Sequence, residues 1–162
     1  MPPGLNACSR TWSSRKWVGL STTRAPFASF HSVTPSSSIV LSSTISDSSG
    51  TNDISGAVVD AGIGSVVLTA DGDISGGSAS SDFQSVTATA VGSIDGLTVD
   101  AGADAVLSAT GLGSSIIGVS VDGVSVTATA GYDIVGGSFW SDTGATLTAG
   151  FDITGSVVDA AA

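Results

Sequence analysis

Residues 74–96 have the sequence ISGGSASSDFQSVTATAVGSIDG and contain one full period of the repeat that decides the fold. The stretch opens and closes on the pattern Ile-x-Gly. This pattern occurs six times, at spacings of 20, 20, 22, 18 and 19 residues. A fixed period of this length is typical of a solenoid, in which each repeat packs on its neighbours. The repeated residues are Ile54, Ile74, Ile94, Ile116, Ile134 and Ile153, and Gly56, Gly76, Gly96, Gly118, Gly136 and Gly155.

Each period holds three short strand patterns separated by Gly and Asp turns. The first is Ile-x-Gly itself, the second is an apolar pair such as Val58-Val59, and the third alternates small or apolar residues with Thr. We predict an all-β fold, a right-handed single-stranded parallel β-helix with about 20 residues per coil and about 5.5 coils. The third pattern occurs at residues 66–70, 86–90, 106–110, 126–130 and 145–149.

Two inward columns of equivalent side chains should form the core. One is the Ile column, and the other is Val59, Ala79, Val99, Val121, Phe139 and Val158. The Gly two places after each Ile has two open explanations, a positive φ or a corner too tight for a Cβ. On either explanation, Ala at Gly76 or Gly96 should destabilise the protein.

The first 45 residues differ from the remainder of the chain. They are rich in Ser and Thr, carry the only basic residues and show no period, so we predict a disordered or weakly ordered leader. The composition also suits an organelle transit peptide. We expect the solenoid to occupy residues 46–162. No polar cap is evident at residues 160–162. We therefore expect either a fragment of a longer array or a rod whose ends are covered by partners.

Charge and composition exclude several functions. All 14 acidic residues are Asp, and the four basic residues are Arg10, Arg15, Lys16 and Arg24. Because phosphate backbones are bound mainly through Lys and Arg, we expect no nucleic-acid partner. No run of 18 apolar residues and no secretory signal is evident. His31 and Cys8 are single and lie in the leader, so we expect neither a hydrolytic triad nor a thiolate metal site, and we predict no enzyme activity.

Asp residues recur at equivalent positions and are the candidate cation ligands. Asp53, Asp73, Asp133 and Asp152 each precede a stacked Ile, with Ser93 and Ser115 between them. They could share Ca²⁺ with backbone oxygens, or each could cap its own turn by bonding local N–H groups. A second acidic column with the same two explanations comprises Asp60, Asp100, Asp122 and Asp159, interrupted by Ser80 and Trp140.

Two further surface features suggest ligands. Thr-x-Thr at 87/89, 127/129 and 146/148 is a pattern that some ice-binding solenoids use, but we expect Val67 and the pair Leu107/Ala109 to interrupt the array. Trp140 should project outward beside the inward Phe139, where it could stack on a sugar, contact a protein or simply cover a corner.

The phrases Gly131-Tyr132-Asp133-Ile134 and Thr146–Ile153 resemble the coils of filamentous-haemagglutinin-type adhesins and related bacterial exoproteins. The resemblance covers about residues 51–162 and implies a β-helix exported to the cell surface. We therefore expect a non-enzymatic, extracellular or cell-surface rod that presents an acidic surface and has no required cofactor. Its partners would be further coils, a second copy end to end, or a surface glycan or protein. The alternative function is a Ca²⁺- or carbohydrate-binding module, with ice binding third.

Overall fold

A computed structural model describes residues 18–21, 38–43 and 52–161, and these ranges contain strands and no helix. The strands are β1 (Val18–Ser21), β2 (Ile39–Ser43), β3 (Ile54–Ser55), β4 (Val58–Asp60), β5 (Val66–Ala70), β6 (Ile74–Ser75), β7 (Ser78–Ser81), β8 (Val86–Ala90), β9 (Ile94–Asp95), β10 (Thr98–Ala109), β11 (Ile116–Ile117), β12 (Ser120–Ala130), β13 (Ile134–Val135), β14 (Ser138–Ala149), β15 (Ile153–Thr154) and β16 (Val157–Ala160).

Every strand pair is parallel and joins equivalent residues of successive coils, which confirms the predicted parallel β-solenoid. The Ile-x-Gly strands form one sheet in the order β15-β13-β11-β9-β6-β3, here called the Ile face. The other sheet bends into two faces. The Asp face consists of β4, β7, the first halves of β10, β12 and β14, and β16. The Thr face consists of β1, β2, β5, β8 and the second halves of β10, β12 and β14.

The core consists of the inward columns of all three faces. Ile74, Ile94, Ile116 and Ile134 are fully buried, and each such side chain contributes about 1.5 to 3 kcal/mol. The inward column of the Thr face alternates in size, with Leu68, Ala88, Leu107 and Ala128 in successive register and all buried. Because neighbouring coils lie only about 4.8 Å apart, a small residue between two large ones gives both room to fill the core.

Both predicted inward columns are confirmed over the inner coils. Val59, Ala79, Val99, Val121 and Phe139 are in register and at most 2% exposed. Their counterparts in the last described coil differ, since Ile153 is 47% exposed and Val158 is 49% exposed. These two side chains pack on one neighbouring coil instead of two.

The recurrent Gly after each Ile has a positive φ, between 58° and 64° in all six copies. A Cβ built on Gly56, Gly76, Gly96, Gly118 or Gly136 would meet no other atom within 4 Å. Backbone conformation alone therefore selects Gly here, because an L-residue is strained in this left-handed region. Of the two explanations open to the sequence, the tight corner is wrong.

Coil length varies only at the corners, and the strands remain in register. Val86 precedes Ile94 by eight residues, whereas its ladder partner Ala105 precedes Ile116 by eleven. The extra residues form a loop within 110–115, in which Leu112 is fully exposed. The corner between the Asp and Thr faces runs from Ser81 to Val86 in one coil and from Ala101 to Ala105 in the next, which is one residue shorter. It is shorter by one more residue in the following coil. An insertion is tolerated because it disturbs no ladder hydrogen bond.

Strands occur on both sides of the predicted domain boundary. β2 pairs in register with β5, and Ile39 is buried in the core. The main sheet therefore begins upstream of residue 46. An apolar side chain at Ile39 has the same role as Val66 in the next coil. Apart from residues 18–21 and 38–43, the predicted leader, including His31 and Cys8, lies outside the described residues.

Candidate functional site

The Asp and Ser residues that precede each Ile form a hydrogen-bonded ladder along the rod. Asp53 Oδ1 accepts the backbone N–H of Asp73 at 2.8 Å, and Asp73 Oδ1 accepts that of Ser93 at 2.6 Å. The same bond recurs from Ser115 N–H to Ser93 Oγ, from Asp133 N–H to Ser115 Oγ, and from Asp152 N–H to Asp133 Oδ1. Each of these side chains thus bonds a backbone N–H of the next coil. Ser can replace Asp because only one acceptor oxygen is needed.

Small residues make this ladder possible in the first coils. A Cβ added to Gly72 would clash with Asp53 Oδ1, and one added to Gly92 would clash with Asp73 Oδ1 and with the carbonyl of Gly72. Neither glycine has a positive φ, so close approach is the reason for Gly at both positions. The Asp-Gly-Asp sequence at residues 71–73 is therefore a consequence of stacking.

The candidate cation ligands lie on this ladder, at its exposed edge. Asp53, Asp73 and Asp152 are exposed, and Asp133 is half-buried. Across residues 52–161, no three His, Cys, Asp or Glu side chains are grouped so that they could hold a metal ion. Shared Ca²⁺ ligation at this ladder remains a prediction.

The second acidic column lies on the outer surface of the Asp face in the register that the sequence predicted. Asp60, Ser80, Asp100, Asp122, Trp140 and Asp159 are successive ladder partners. All four carboxylates are exposed, and Asp100 and Asp122 are direct neighbours. Trp140 is 49% exposed between Asp122 and Asp159, while Phe139 beside it is fully buried. The arrangement presents one flat aromatic surface between two hydrogen-bond acceptors.

An aromatic pair that we did not predict lies at the corner before the Ile face. Tyr132 and Phe151 stack with ring centroids 5.2 Å apart and planes 6° apart, and both are exposed. The backbone N–H of Phe151 donates to the Tyr132 carbonyl, so the rings occupy equivalent positions in adjacent coils. The sequence did carry a signal, since Gly-Tyr-Asp-Ile and Gly-Phe-Asp-Ile recur 19 residues apart.

The Thr face corrects one sequence prediction. We expected Leu107 and Ala109 to interrupt the Thr-x-Thr array, but both are inward and buried. The ladder partners of Thr87 and Thr89 are instead Val106 and Ser108. Val67 is in register with Thr87 and interrupts the array as expected. The error has a physical cause: the corner before this strand is one residue shorter, which shifts the strand by one residue relative to a strict 20-residue period. A one-residue shift exchanges the two faces of a strand.

The solenoid architecture defines the structural class of this chain. No helix within the described residues is long and apolar enough to span a membrane. Comparisons with protein-family models, with curated proteins and with solved structures found no match.

Proposed function

We propose that the chain is a non-enzymatic structural repeat protein that works by presenting a stiff acidic surface, as a cell-surface or secreted adhesin-like rod does. The observation that supports this most directly is the exposed acidic column on the Asp face. The backbones of Asp100 and Asp122 are held about 4.8 Å apart by the ladder, so the spacing of the two residues along the face is set before any partner binds. The extracellular location rests on the resemblance to exported β-helices.

The expected partner is a basic protein surface. All basic residues of the chain are at or before Arg24, so the solenoid from residue 52 onward carries negative charge only. Such a surface attracts Lys- and Arg-rich partners and repels nucleic acid. We propose that binding needs no cofactor and no catalytic group, because the fixed carboxylates supply the interaction.

A matched pair of substitutions in one coil tests this proposal. Asp100→Asn removes a charge from the Asp face, and Asp95→Asn removes the same charge from the Ile face. Binding to an immobilised basic globular protein should weaken by about threefold for D100N, and by less for D95N. Both losses should shrink as salt is added. Equal losses would mean that only total charge matters, and no binding by the wild type would refute the proposal.

Carbohydrate binding is the second candidate, and Trp140 is the observation that favours it. Its exposed indole lies between two carboxylates that can accept hydrogen bonds from sugar hydroxyls, while the ring stacks on the sugar face. On a glycan array, Trp140→Ala should abolish any signal and Trp140→Phe should keep part of it. Phe83→Ala is the control, because Phe83 is a similarly exposed aromatic at another corner.

A further inference from the structure

The outer surface of the Thr face carries two continuous columns of side chains across six of its strands, from β2 to β14. The ladder extends into β1 with Gly19 and Ser21. Every member of the first column is β-branched, and every member of the second bears a hydroxyl. The ladder pairs these residues in order without a gap. The first column is Val40, Val67, Thr87, Val106, Thr127 and Thr146, and the second is Ser42, Thr69, Thr89, Ser108, Thr129 and Thr148.

The composition of this surface differs from that of the other two faces. None of the twelve side chains in these two columns is charged or longer than Val, although the chain contains 14 Asp. One exposed carboxylate, Asp104, borders the first column at the start of the second half of β10. The Asp face carries four Asp in one outward column, and the Ile face carries Asp95. Strand preference explains Val and Thr but does not explain why all twelve positions of these two columns lack charge.

The hydroxyl groups of this surface also differ from those elsewhere. Within residues 52–161, the hydroxyls of these two columns form no hydrogen bond to another protein group, whereas Ser125, beside the first column, donates to Asp104. The column hydroxyls are those of Thr69, Thr87, Thr89, Ser108, Thr127, Thr129, Thr146 and Thr148. Elsewhere in the same range many hydroxyls donate to the protein: Ser75, Ser80, Ser81, Thr110, Ser114, Ser125, Ser141, Thr143 and Ser156.

The outward side chains lie on a two-dimensional grid, and the free hydroxyls occupy eight of its ten positions within residues 52–161; Val67 and Val106 occupy the other two. Strands are about 4.8 Å apart, and outward residues on one strand are about 6.6 Å apart. A rotating hydroxyl can donate or accept, and the methyl groups of Thr and Val occupy the spaces between hydroxyls. A rigid, uncharged grid is complementary to a ligand that is itself periodic in two dimensions. That ligand should both donate and accept hydrogen bonds at its lattice points. A crystal surface of water has these properties.

We propose that the Thr face binds ice. Side chains stiff at χ1 and fixed by the ladder can order the adjoining water without losing much conformational entropy. A charged mineral surface would require the Asp face, and a crystalline polysaccharide would favour a row of exposed aromatics, which the Thr face lacks. The face is also small for a second copy of the chain. Its seven strands, each about 17 Å long and about 4.8 Å from the next, cover roughly 570 Å², whereas a stable interface buries about 800 Å² per partner.

Ice-affinity partitioning of the full-length chain tests the proposal. The fluorescently labelled protein is exposed to a slowly growing ice surface, and the fraction incorporated is compared with that of an inert globular protein. Thr127→Lys places a long charged side chain in the middle of the grid. Thr98→Lys makes the same change on the Asp face, in a neighbouring coil. Thr127→Val keeps the shape and removes one hydroxyl. Far-UV circular dichroism establishes that each variant is folded.

The wild type and T98K should enter the ice, and incorporation of T127K should fall about tenfold. T127V should show a smaller loss, because the methyl groups remain. Exclusion of the wild type from ice overturns the proposal, and so does incorporation of T127K at the wild-type level. An equal loss in T98K would assign the effect to charge rather than to the Thr face. A dimer that T127K dissociates, without ice incorporation, would instead identify the face as an interface between copies.

Discussion

Replacing Gly96 by Ala should destabilise the protein through backbone conformation alone. Gly96 has a φ of +63°, and a Cβ at this position would meet no atom within 4 Å. An L-residue in the left-handed region costs about 1 to 2 kcal/mol. Ala also lowers the conformational entropy of the unfolded chain, which offsets about 0.4 to 1 kcal/mol of this loss of stability. We expect a net loss of about 1 kcal/mol in the free energy of unfolding.

Asn at the same position is the matched control. Its side chain is larger than that of Ala, but Asn tolerates the left-handed region better because it hydrogen-bonds locally. If conformation decides, Gly96→Asn should cost less than Gly96→Ala. If space decided, the larger Asn would cost more.

Guanidinium unfolding followed by far-UV circular dichroism measures both variants. G96A should lower the midpoint with an unchanged slope, and its melting temperature should fall by about 4 °C. A wild-type midpoint for G96A would refute the conformational argument. A greater loss for G96N than for G96A would contradict it as well, since only steric exclusion predicts that order.

Other substitutions probe the core and the ladder. Phe139→Ala should lower the free energy of unfolding by about 3 to 5 kcal/mol, because this side chain is fully buried, and Phe139→Leu should cost much less. Guanidinium unfolding midpoints measure both losses. A small loss for F139A would show that the core collapses into the space left by the ring. Asp73→Ala should lose about 1 kcal/mol with its bond to Ser93 N–H, and Asp73→Ser should stay close to the wild type in thermal melts. Gly92→Ala should destabilise the protein more than G96A does, since a Cβ at residue 92 clashes with Asp73 and with the backbone of Gly72. Equal melting temperatures for the two variants would contradict this. Millimolar Ca²⁺ should leave the wild-type melting temperature unchanged; a rise would instead support shared ligation by the Asp ladder.

The repeat predicted most of the fold because the relevant signals are local. Period-2 alternation identified the strands, and the six Ile-x-Gly copies fixed the register of the Ile face through spacings of 18 to 22 residues. The outward position of Trp140 and the acidic column followed from counting forward from each Gly. That count succeeds because the distance from Ile-x-Gly to the Asp face is constant in every coil.

Prediction failed where coil length changes between the counted motif and the residue of interest. Leu107 and Ala109 were placed on the wrong side of their strand because the preceding corner is shorter by one residue. The predicted solenoid boundary lies downstream of the strands β1 and β2 because no Ile-x-Gly motif precedes them. Both outcomes depend on which residues become neighbours in adjacent coils.

The sequence by itself determined the period, the strand order within a coil, the buried Ile column and the need for Gly after it, because each depends on a few consecutive residues. Only the tertiary structure decided which side chains of one coil contact the next coil. It showed that Asp53 and Asp73 bond backbone N–H groups one coil further on, that Tyr132 stacks on Phe151, and that the Thr face is continuous. The physical reason is that contacts between coils depend on where each corner absorbs its insertion, and corner length leaves no periodic trace in the sequence.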